Sequence, residues 1–166
     1  PLPPDADRAP LLNPTDPMAA LLHEIGQQAQ HLDAAQLAAA SRAGIDAVWA
    51  QLKVACARRT QPWPRRLITF DAHPGNFLLR ADGRAMLVDL EKARYGVAAL
   101  DLAHATLVTS TTWGFDSHCA LNPAQVLDAY RWWQQSLGAE RAGDPRDWWL
   151  ARSAMWLWSV TWCAKW

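Results

Sequence analysis

The apolar residues divide the chain into a helical first part, a strand-rich centre and a helical second part. Residues 15–17, Thr-Asp-Pro, form a typical helix start, and the apolar residues after them predict a first helix to about Gln30. Asp33 is the predicted N-cap of a second helix, which runs to about Arg59. The predicted buried stripe of this second helix consists of Leu37, Ile45, Val48, Trp49 and Leu52.

Short apolar runs in the centre predict three strands. These runs lie at about residues 67–70, 77–80 and 85–88. Asp82-Gly83 lies between the last two runs and is the strongest hairpin signal in the sequence. A two-residue loop at these positions places Asn76 opposite Asp89, with Cβ atoms about 5 Å apart on one face.

The second helical part begins after Gly96. Helices are predicted at about residues 99–110, 123–137 and 145–165. The predicted fold class is therefore α+β and mainly helical, with helices around a small strand cluster.

Composition favours a single folded unit. Of the 166 residues, 51% are apolar, which is enough for one core. Residues 1–14 are rich in proline and predict an extended linker, which leaves residues 15–166 as the folded lobe. Sixteen basic residues balance sixteen acidic ones, so no net field favours nucleic acid or an anionic membrane.

The cysteines and the hydropathy bear on the cellular location of the protein. No stretch reaches the ~18 apolar residues of a membrane span, and the start lacks the pattern of a signal peptide. The three cysteines are far apart, which argues against a disulfide framework and against a structural zinc site. We therefore expect a cytoplasmic protein.

Candidate chemistry concentrates in residues 70–76, Phe-Asp-Ala-His-Pro-Gly-Asn, and in Asp89. If Asn76 and Asp89 face each other, an amide oxygen and a carboxylate share one hard cation, and Mg²⁺ is favoured. Asp71 lies just before the Pro-Gly turn, where its carboxylate can accept a proton from a hydroxyl. Singly, such residues are commonly caps or turn residues, but the combination of residue types, spacing and register is more specific.

This segment resembles the catalytic loop of the aminoglycoside and choline phosphotransferases, which are relatives of the protein kinases. The family pattern is His-Gly-Asp-Leu-His-Pro-Gly-Asn, followed by a strand and Ile-Asp-Phe. Here residues 71–76 and 88–90 occupy those positions, and residues 101–103 are similar to the family's Asp-Leu-Ala. Thr69-Phe70 replaces the usual His-Gly, so we expect the conformation of this loop to differ from that of the family.

The resemblance implies a protein-kinase-like C-terminal lobe whose small β-hairpin carries the catalytic loop. Asp71 would be the catalytic base or hydroxyl-orienting group, and Asn76 and Asp89 would hold Mg²⁺ against the phosphates of ATP.

Three further residues receive roles from the same resemblance. His73 belongs to the loop itself, and the carboxylate of Asp101 would brace the loop backbone. Glu91 is either a further metal ligand or a salt-bridge partner. The short motif that contains it departs from the family pattern.

The implied activity is ATP-dependent phosphotransfer to a hydroxyl of a small molecule, such as an aminoglycoside, a choline-like alcohol or a sugar. The Asp-Leu-Glu-Lys phrase at residues 89–92 is also similar to bacterial lipopolysaccharide sugar kinases, so an envelope sugar is an alternative acceptor.

A kinase also needs a nucleotide-gripping lobe, and the chain lacks its signals. The eight glycines never form Gly-x-Gly-x-x-Gly. We therefore expect the N-terminal lobe to be missing and this chain to be inactive alone. The alternative is a non-catalytic kinase-like binding or interaction module, against which the presence of all three site residues counts.

Other residue sets have competing interpretations. Trp158, Trp162 and Trp166 share one face of the last helix and form either a cage for a quaternary ammonium group or, as we favour, core packing. Five acidic residues form either a pocket for a cationic acceptor or, as we favour, solvated helix faces. These are Asp116, Asp128, Glu140, Asp144 and Asp147. No transition-metal site is expected from the spacing of His73, His104, His118 and Cys119.

Overall fold

The computed structural model describes residues 10–114 and 119–165. This part of the chain contains seven α-helices and four short strands, so the predicted mainly helical α+β class is confirmed. In chain order the elements are α1 (Pro17–Gln28), α2 (Ala39–Ala57), β1 (Arg66–Ile68), β2 (Phe77–Leu79), β3 (Ala85–Leu87), β4 (Arg94–Gly96), α3 (Ala99–Thr106), α4 (Val108–Thr111), α5 (Pro123–Leu137), α6 (Ala139–Ala142) and α7 (Pro145–Ala164).

Helix α7 lies at the centre of the core, where it packs against α1, α2 and α3. It begins close to the predicted position, because Asp144 caps it by accepting a hydrogen bond from the backbone N–H of Arg146 at 2.8 Å. Its buried face consists of Trp148, Ala151, Ala154, Met155, Leu157, Trp158, Ser159 and Thr161. The residues of α7 that reach the candidate site are thus fixed by the core itself.

The start of α2 differs from the prediction. Asp33 is the last residue of a 3₁₀ turn, Ala29–Asp33, and a residue inside a helical turn cannot have the extended backbone of an N-cap. Its carboxylate instead pairs with Arg42, and the N-cap is Ala38. Leu37 precedes α2 and is exposed, so it does not belong to the buried stripe.

The predicted strand cluster consists of two separate antiparallel pairs, β1 with β4 and β2 with β3. Strand β4 is too short to show a periodic pattern and was not predicted. Its pairing with β1 depends on Gly96, because a Cβ atom there would lie 2.4 Å from Cδ1 of Ile68. The pair β1–β4 fixes the strand from which the loop containing Asp71 emerges.

The hairpin of β2 and β3 has a three-residue loop, whereas two residues were predicted. Arg80 N–H donates to the carbonyl oxygen of Arg84 at 2.8 Å, which leaves residues 81–83 as the loop. Gly83 adopts a φ of 79°, the left-handed conformation that a three-residue hairpin loop requires. Asp82 stabilises the turn by accepting a hydrogen bond from Arg84 N–H at 3.1 Å.

The longer loop shifts the register by one residue. Val88, and not Asp89, lies opposite Asn76, because Val88 N–H donates to the Asn76 carbonyl oxygen at 2.8 Å. The predicted pairing of Asn76 with Asp89 across the hairpin is therefore wrong.

The predicted helix at residues 99–110 is interrupted at Leu107, whose ψ of 142° separates α3 from α4. Within residues 10–114 and 119–165, no helix is both long and apolar enough to cross a membrane.

Candidate active site

A cavity of about 180 Å³ lies between the loop after β1 and helices α3, α4 and α7. The polar side chains that line it come from the loop after β1, the turn before β4, and helices α3, α4 and α7. They are Asp71, His73, Asn76, Lys92, His104, Thr109 and Ser159. The structure therefore brings three of the sequence-predicted site residues, Asp71, His73 and Asn76, to one cavity.

Asp71 lies at the polar end of this cavity, with its side chain 17% exposed. Its Oδ2 atom is 2.8 Å from the ammonium nitrogen of Lys92. Its Oδ1 atom is 3.8 Å from Nδ1 of His104, which is beyond hydrogen-bond distance. The Asp71 carbonyl oxygen accepts a hydrogen bond from the Asn76 side-chain amide at 2.9 Å. The carboxylate thus keeps acceptor capacity toward the cavity.

The backbone before Asp71 is held by Asp101. The Asp101 carboxylate accepts hydrogen bonds from the N–H groups of Thr69 and Phe70, both at 2.8 Å, and from the Thr69 hydroxyl at 3.1 Å. Burial raises the pKa of Asp101, and these hydrogen bonds oppose the rise. One carboxylate on α3 therefore fixes the conformation of the strand end that presents Asp71.

Phe70 has a φ of 58°, a conformation that a bulky residue rarely adopts. Its ring packs against Trp158 at a centroid distance of 5.0 Å and against the Arg94 guanidinium at 3.7 Å. Glu24 binds both neighbours, by an ion pair to Arg94 at 2.9 Å and a hydrogen bond from the Trp158 indole at 2.7 Å. The strained backbone stands where the resembling pattern has glycine, and these contacts hold it.

Residues 73–76 form a compact turn below Asp71. His73 caps it, because its Nδ1 accepts a hydrogen bond from Gly75 N–H at 2.9 Å. An imidazole that accepts at Nδ1 is in its neutral form. The side-chain oxygen of Asn76 accepts no hydrogen bond within the described residues and is free to bind a cation.

Asp89 lies one residue beyond the hairpin ladder, with a φ of 59° and an exposed side chain. It does not line the cavity of Asp71, and in the described part of the chain it makes no ion pair. Glu91 is also exposed and makes no ion pair there. Residues 10–114 and 119–165 contain no group of three or more His, Cys, Asp or Glu side chains that could hold a metal.

Two tryptophans of α7, Trp158 and Trp162, pack in the core and also line the cavity. Trp158 is 7% exposed, and its ring lies nearly parallel to that of Trp162 at 6.3 Å. Trp113 contacts Trp162 at 5.7 Å and completes an aromatic wall. Trp166 lies outside the described residues.

Of the acidic residues considered for an acceptor pocket, the four that the structure describes do not line this cavity. Asp147 pairs with Arg59 at 2.7 Å, and Asp128 pairs with Arg131 at 3.1 Å. Asp144 caps α7, and Glu140 is exposed. Asp116 and His118 lie outside the described residues.

A model of the phosphotransferase enzyme family, APH, matches residues 4–148, which is most of the chain. The chain belongs to the phosphotransferase enzyme family. The predicted relationship is thereby confirmed, and the mainly helical architecture with small antiparallel sheets is compatible with a kinase-like fold. No curated protein and no solved structure matches the chain.

Sequence reasoning missed two neighbours of Asp71 in this phosphotransferase, Lys92 and His104. Lys92 follows Asp89 in the Asp-Leu-Glu-Lys phrase, but a turn, and not a periodic element, carries it to Asp71. His104 lies one helical turn after Asp101 on α3, so the two side chains share a face. That spacing is the one feature of the sequence from which the proximity of His104 to the loop could have been predicted.

His104 predicts a pH dependence of stability for this phosphotransferase. Burial lowers the pKa of His104 to about 4; the Asp71 charge opposes this, while His73 and Lys92 add to it. Because the unfolded chain binds this proton more readily, the contribution is complete above about pH 6.5 and is lost as the pH falls toward 4. We expect the protonation of His104 to lower the free energy of unfolding by on the order of 3 kcal/mol as the pH falls from about 6.5 toward 4.

Denaturant unfolding from pH 7 to pH 4 measures this effect as the difference between wild type and His104→Gln. The exposed His23→Gln is the matched control and is expected to keep the wild-type slope. Equal slopes for wild type and His104→Gln would contradict the assignment.

Proposed function

We propose that this chain is the C-terminal catalytic lobe of a cytoplasmic, ATP-dependent kinase that phosphorylates a hydroxyl group of a small molecule. The observation that carries the proposal is the position of Asp71, a partly exposed carboxylate in a cavity, in a chain of the phosphotransferase family. The cavity provides room for an acceptor next to the group that takes its proton.

Asp71 acts in this proposal as the catalytic base. Its carboxylate accepts or orients the proton of the acceptor hydroxyl while the hydroxyl oxygen attacks the transferred phosphorus. Lys92, at 2.8 Å, and the Asp101-held backbone fix the direction of the carboxylate. Such fixed geometry is the main contribution a protein makes to phosphoryl transfer.

Asn76 and Asp89 are the residues that would hold Mg²⁺, with Glu91 as a further candidate. Two features support the fit: the free side-chain oxygen of Asn76, and an exposed Asp89 carboxylate held in a left-handed conformation without an ion pair in the described region. Both are hard oxygen ligands, and Mg²⁺ commonly takes only one or two protein ligands beside phosphates. ATP would supply the phosphoryl group and Mg²⁺ would neutralise its charge.

A separate N-terminal lobe is part of the proposal, because a kinase needs a second surface to grip the nucleotide. The β2–β3 hairpin supports this: Leu78, Leu79 and Met86 on it are 53%, 81% and 47% exposed. Neighbouring exposed apolar side chains commonly mark a surface that another unit covers. The chain alone is accordingly expected to be inactive.

Metal binding tests this assignment. The protein expressed from its complete reading frame is titrated with Mn²⁺, as a paramagnetic substitute for Mg²⁺, in the presence of a non-hydrolysable ATP analogue. We expect Asp89→Asn and Asn76→Ala to weaken Mn²⁺ binding by about tenfold or more, because each removes an oxygen ligand. Asp128→Asn, a solvated carboxylate on α5, is the control. Unchanged Mn²⁺ affinity in both site variants would contradict the metal assignment.

A further inference from the structure

The cavity beside Asp71 has a balanced charge. Among the described residues that line it, Asp71 is the only carboxylate and Lys92 the only ammonium group, and the two form an ion pair at 2.8 Å. His104 is neutral at pH 7 because burial keeps its pKa near 4, and Nδ1 of His73 accepts a hydrogen bond from Gly75 N–H at 2.9 Å. The lining therefore offers no uncompensated negative charge to a cationic acceptor.

Four other carboxylates of the described chain are committed elsewhere and do not supply that charge. Asp101 lies behind the loop and is committed to three hydrogen bonds. Asp147 and Asp128 pair with arginines, and Asp144 caps α7. A polyamine or a quaternary ammonium compound would thus meet the Lys92 ammonium without an acidic partner of its own.

Three tryptophans form an aromatic wall of the same cavity. Trp158 and Trp162 lie within 15° of parallel, and Trp113 leans against Trp162 at 57°. Such a wall packs well against the C–H face of a ring. An aromatic wall also attracts cations. The balanced charge beside the wall therefore decides between an uncharged ring and a cationic acceptor.

The residues that line the cavity also carry buried donor and acceptor atoms without a hydrogen-bond partner. Four buried side-chain atoms without a hydrogen-bond partner belong to residues that line it: Nε2 of His73, Nδ1 of His104, Oγ1 of Thr109 and Oγ of Ser159. Unpaired buried polar groups are rare in folded proteins and commonly mark a functional site. Rotation of these side chains toward the cavity would present donors and acceptors together, a set that suits hydroxyl groups, which do both, whereas a quaternary ammonium group does neither.

We infer that the acceptor is an uncharged, ring-shaped polyol of the monosaccharide class, which packs against the wall of Trp113, Trp158 and Trp162 and presents one hydroxyl to Asp71. This inference rests on the proposed function and narrows its acceptor. Lys92 excludes cationic acceptors because it compensates Asp71.

The test measures acceptor binding without phosphoryl transfer. Saturation-transfer NMR on the protein from its complete reading frame, with a non-hydrolysable ATP analogue, compares a panel of uncharged monosaccharides with choline and with kanamycin. We expect at least one monosaccharide to bind about tenfold more tightly than either cation. Lys92→Met is expected to strengthen choline and kanamycin binding by about tenfold, because it leaves the Asp71 charge uncompensated, and Lys92→Arg is expected to behave as wild type.

Tighter binding of choline or kanamycin than of every monosaccharide by the wild-type protein would overturn the inference. So would the absence of binding by all monosaccharides, or an unchanged preference in Lys92→Met. Failure of the proposed function gives a different result: a monosaccharide binds, but wild type with ATP and Mg²⁺ does not phosphorylate it. The acceptor class and the reaction are thus judged by separate measurements.

Discussion

Replacement of Asp71 with asparagine is expected to lower kcat by about 10²–10⁴-fold, the usual contribution of a catalytic base. The amide keeps the size of the side chain but cannot take a proton. It also loses the charge that pairs with Lys92 at 2.8 Å. The measurement is steady-state phosphorylation of the acceptor by the protein from its complete reading frame.

Nucleotide affinity separates this role from a structural one. In the proposed mechanism Asp71 faces the acceptor and is not a metal ligand, so the affinity of Asp71→Asn for the ATP analogue is expected to change by less than about threefold. Asp128→Asn, on the solvated face of α5, is expected to retain wild-type turnover. An Asp71→Asn variant that keeps more than a tenth of the wild-type kcat would contradict the catalytic role of Asp71.

Replacement of Asp101 with asparagine is expected to reduce the free energy of unfolding by about 3 kcal/mol, since it removes charge-assisted hydrogen bonds from a buried site. The carboxylate accepts from two backbone N–H groups and one hydroxyl. An amide has one oxygen, and its NH₂ group would face a donor. The strained φ of Phe70 depends on the same bonds, so the loop is expected to loosen as well.

Denaturant unfolding measures the loss, and hydrogen exchange at the amides of Thr69 and Phe70 locates it. We expect these two amides to exchange faster in Asp101→Asn by more than global unfolding accounts for. Asp128→Asn is again the control, with an expected loss below about 1 kcal/mol for an exposed ion pair. A cost for Asp101→Asn no larger than that of the control would contradict its role in the loop.

Local sequence information was sufficient for the longer helices, for three of the four strands and for the nearest site residues. Asp71, His73 and Asn76 lie within one turn, so their proximity follows from chain connectivity. The predicted helix starts at residues 15–17 and at about residue 145 are confirmed, where Asp16 and Asp144 are the N-caps. The hairpin register depended on one backbone conformation. Gly83 extends the loop in its left-handed form, and this single residue moves Asp89 off the position opposite Asn76.

Contacts between distant segments could not be predicted from any periodic pattern. Lys92 reaches Asp71 from the turn before β4, a strand too short to be recognised. The conformation of Phe70 depends on Arg94 and Trp158, which belong to β4 and α7. Tertiary packing overrode the local preference of a bulky residue for a negative φ.

The most direct test of the central claim is Mg²⁺-dependent transfer of the γ-phosphoryl group. Phosphorus NMR follows ATP, ADP and the phosphorylated acceptor in one sample of the protein from its complete reading frame, with a panel of monosaccharides, choline and aminoglycosides. We expect a phosphate-ester signal that requires both acceptor and Mg²⁺ and disappears in Asp71→Asn. A folded, nucleotide-binding protein that yields no phosphate ester with any acceptor, or an equal yield from Asp71→Asn, would contradict it.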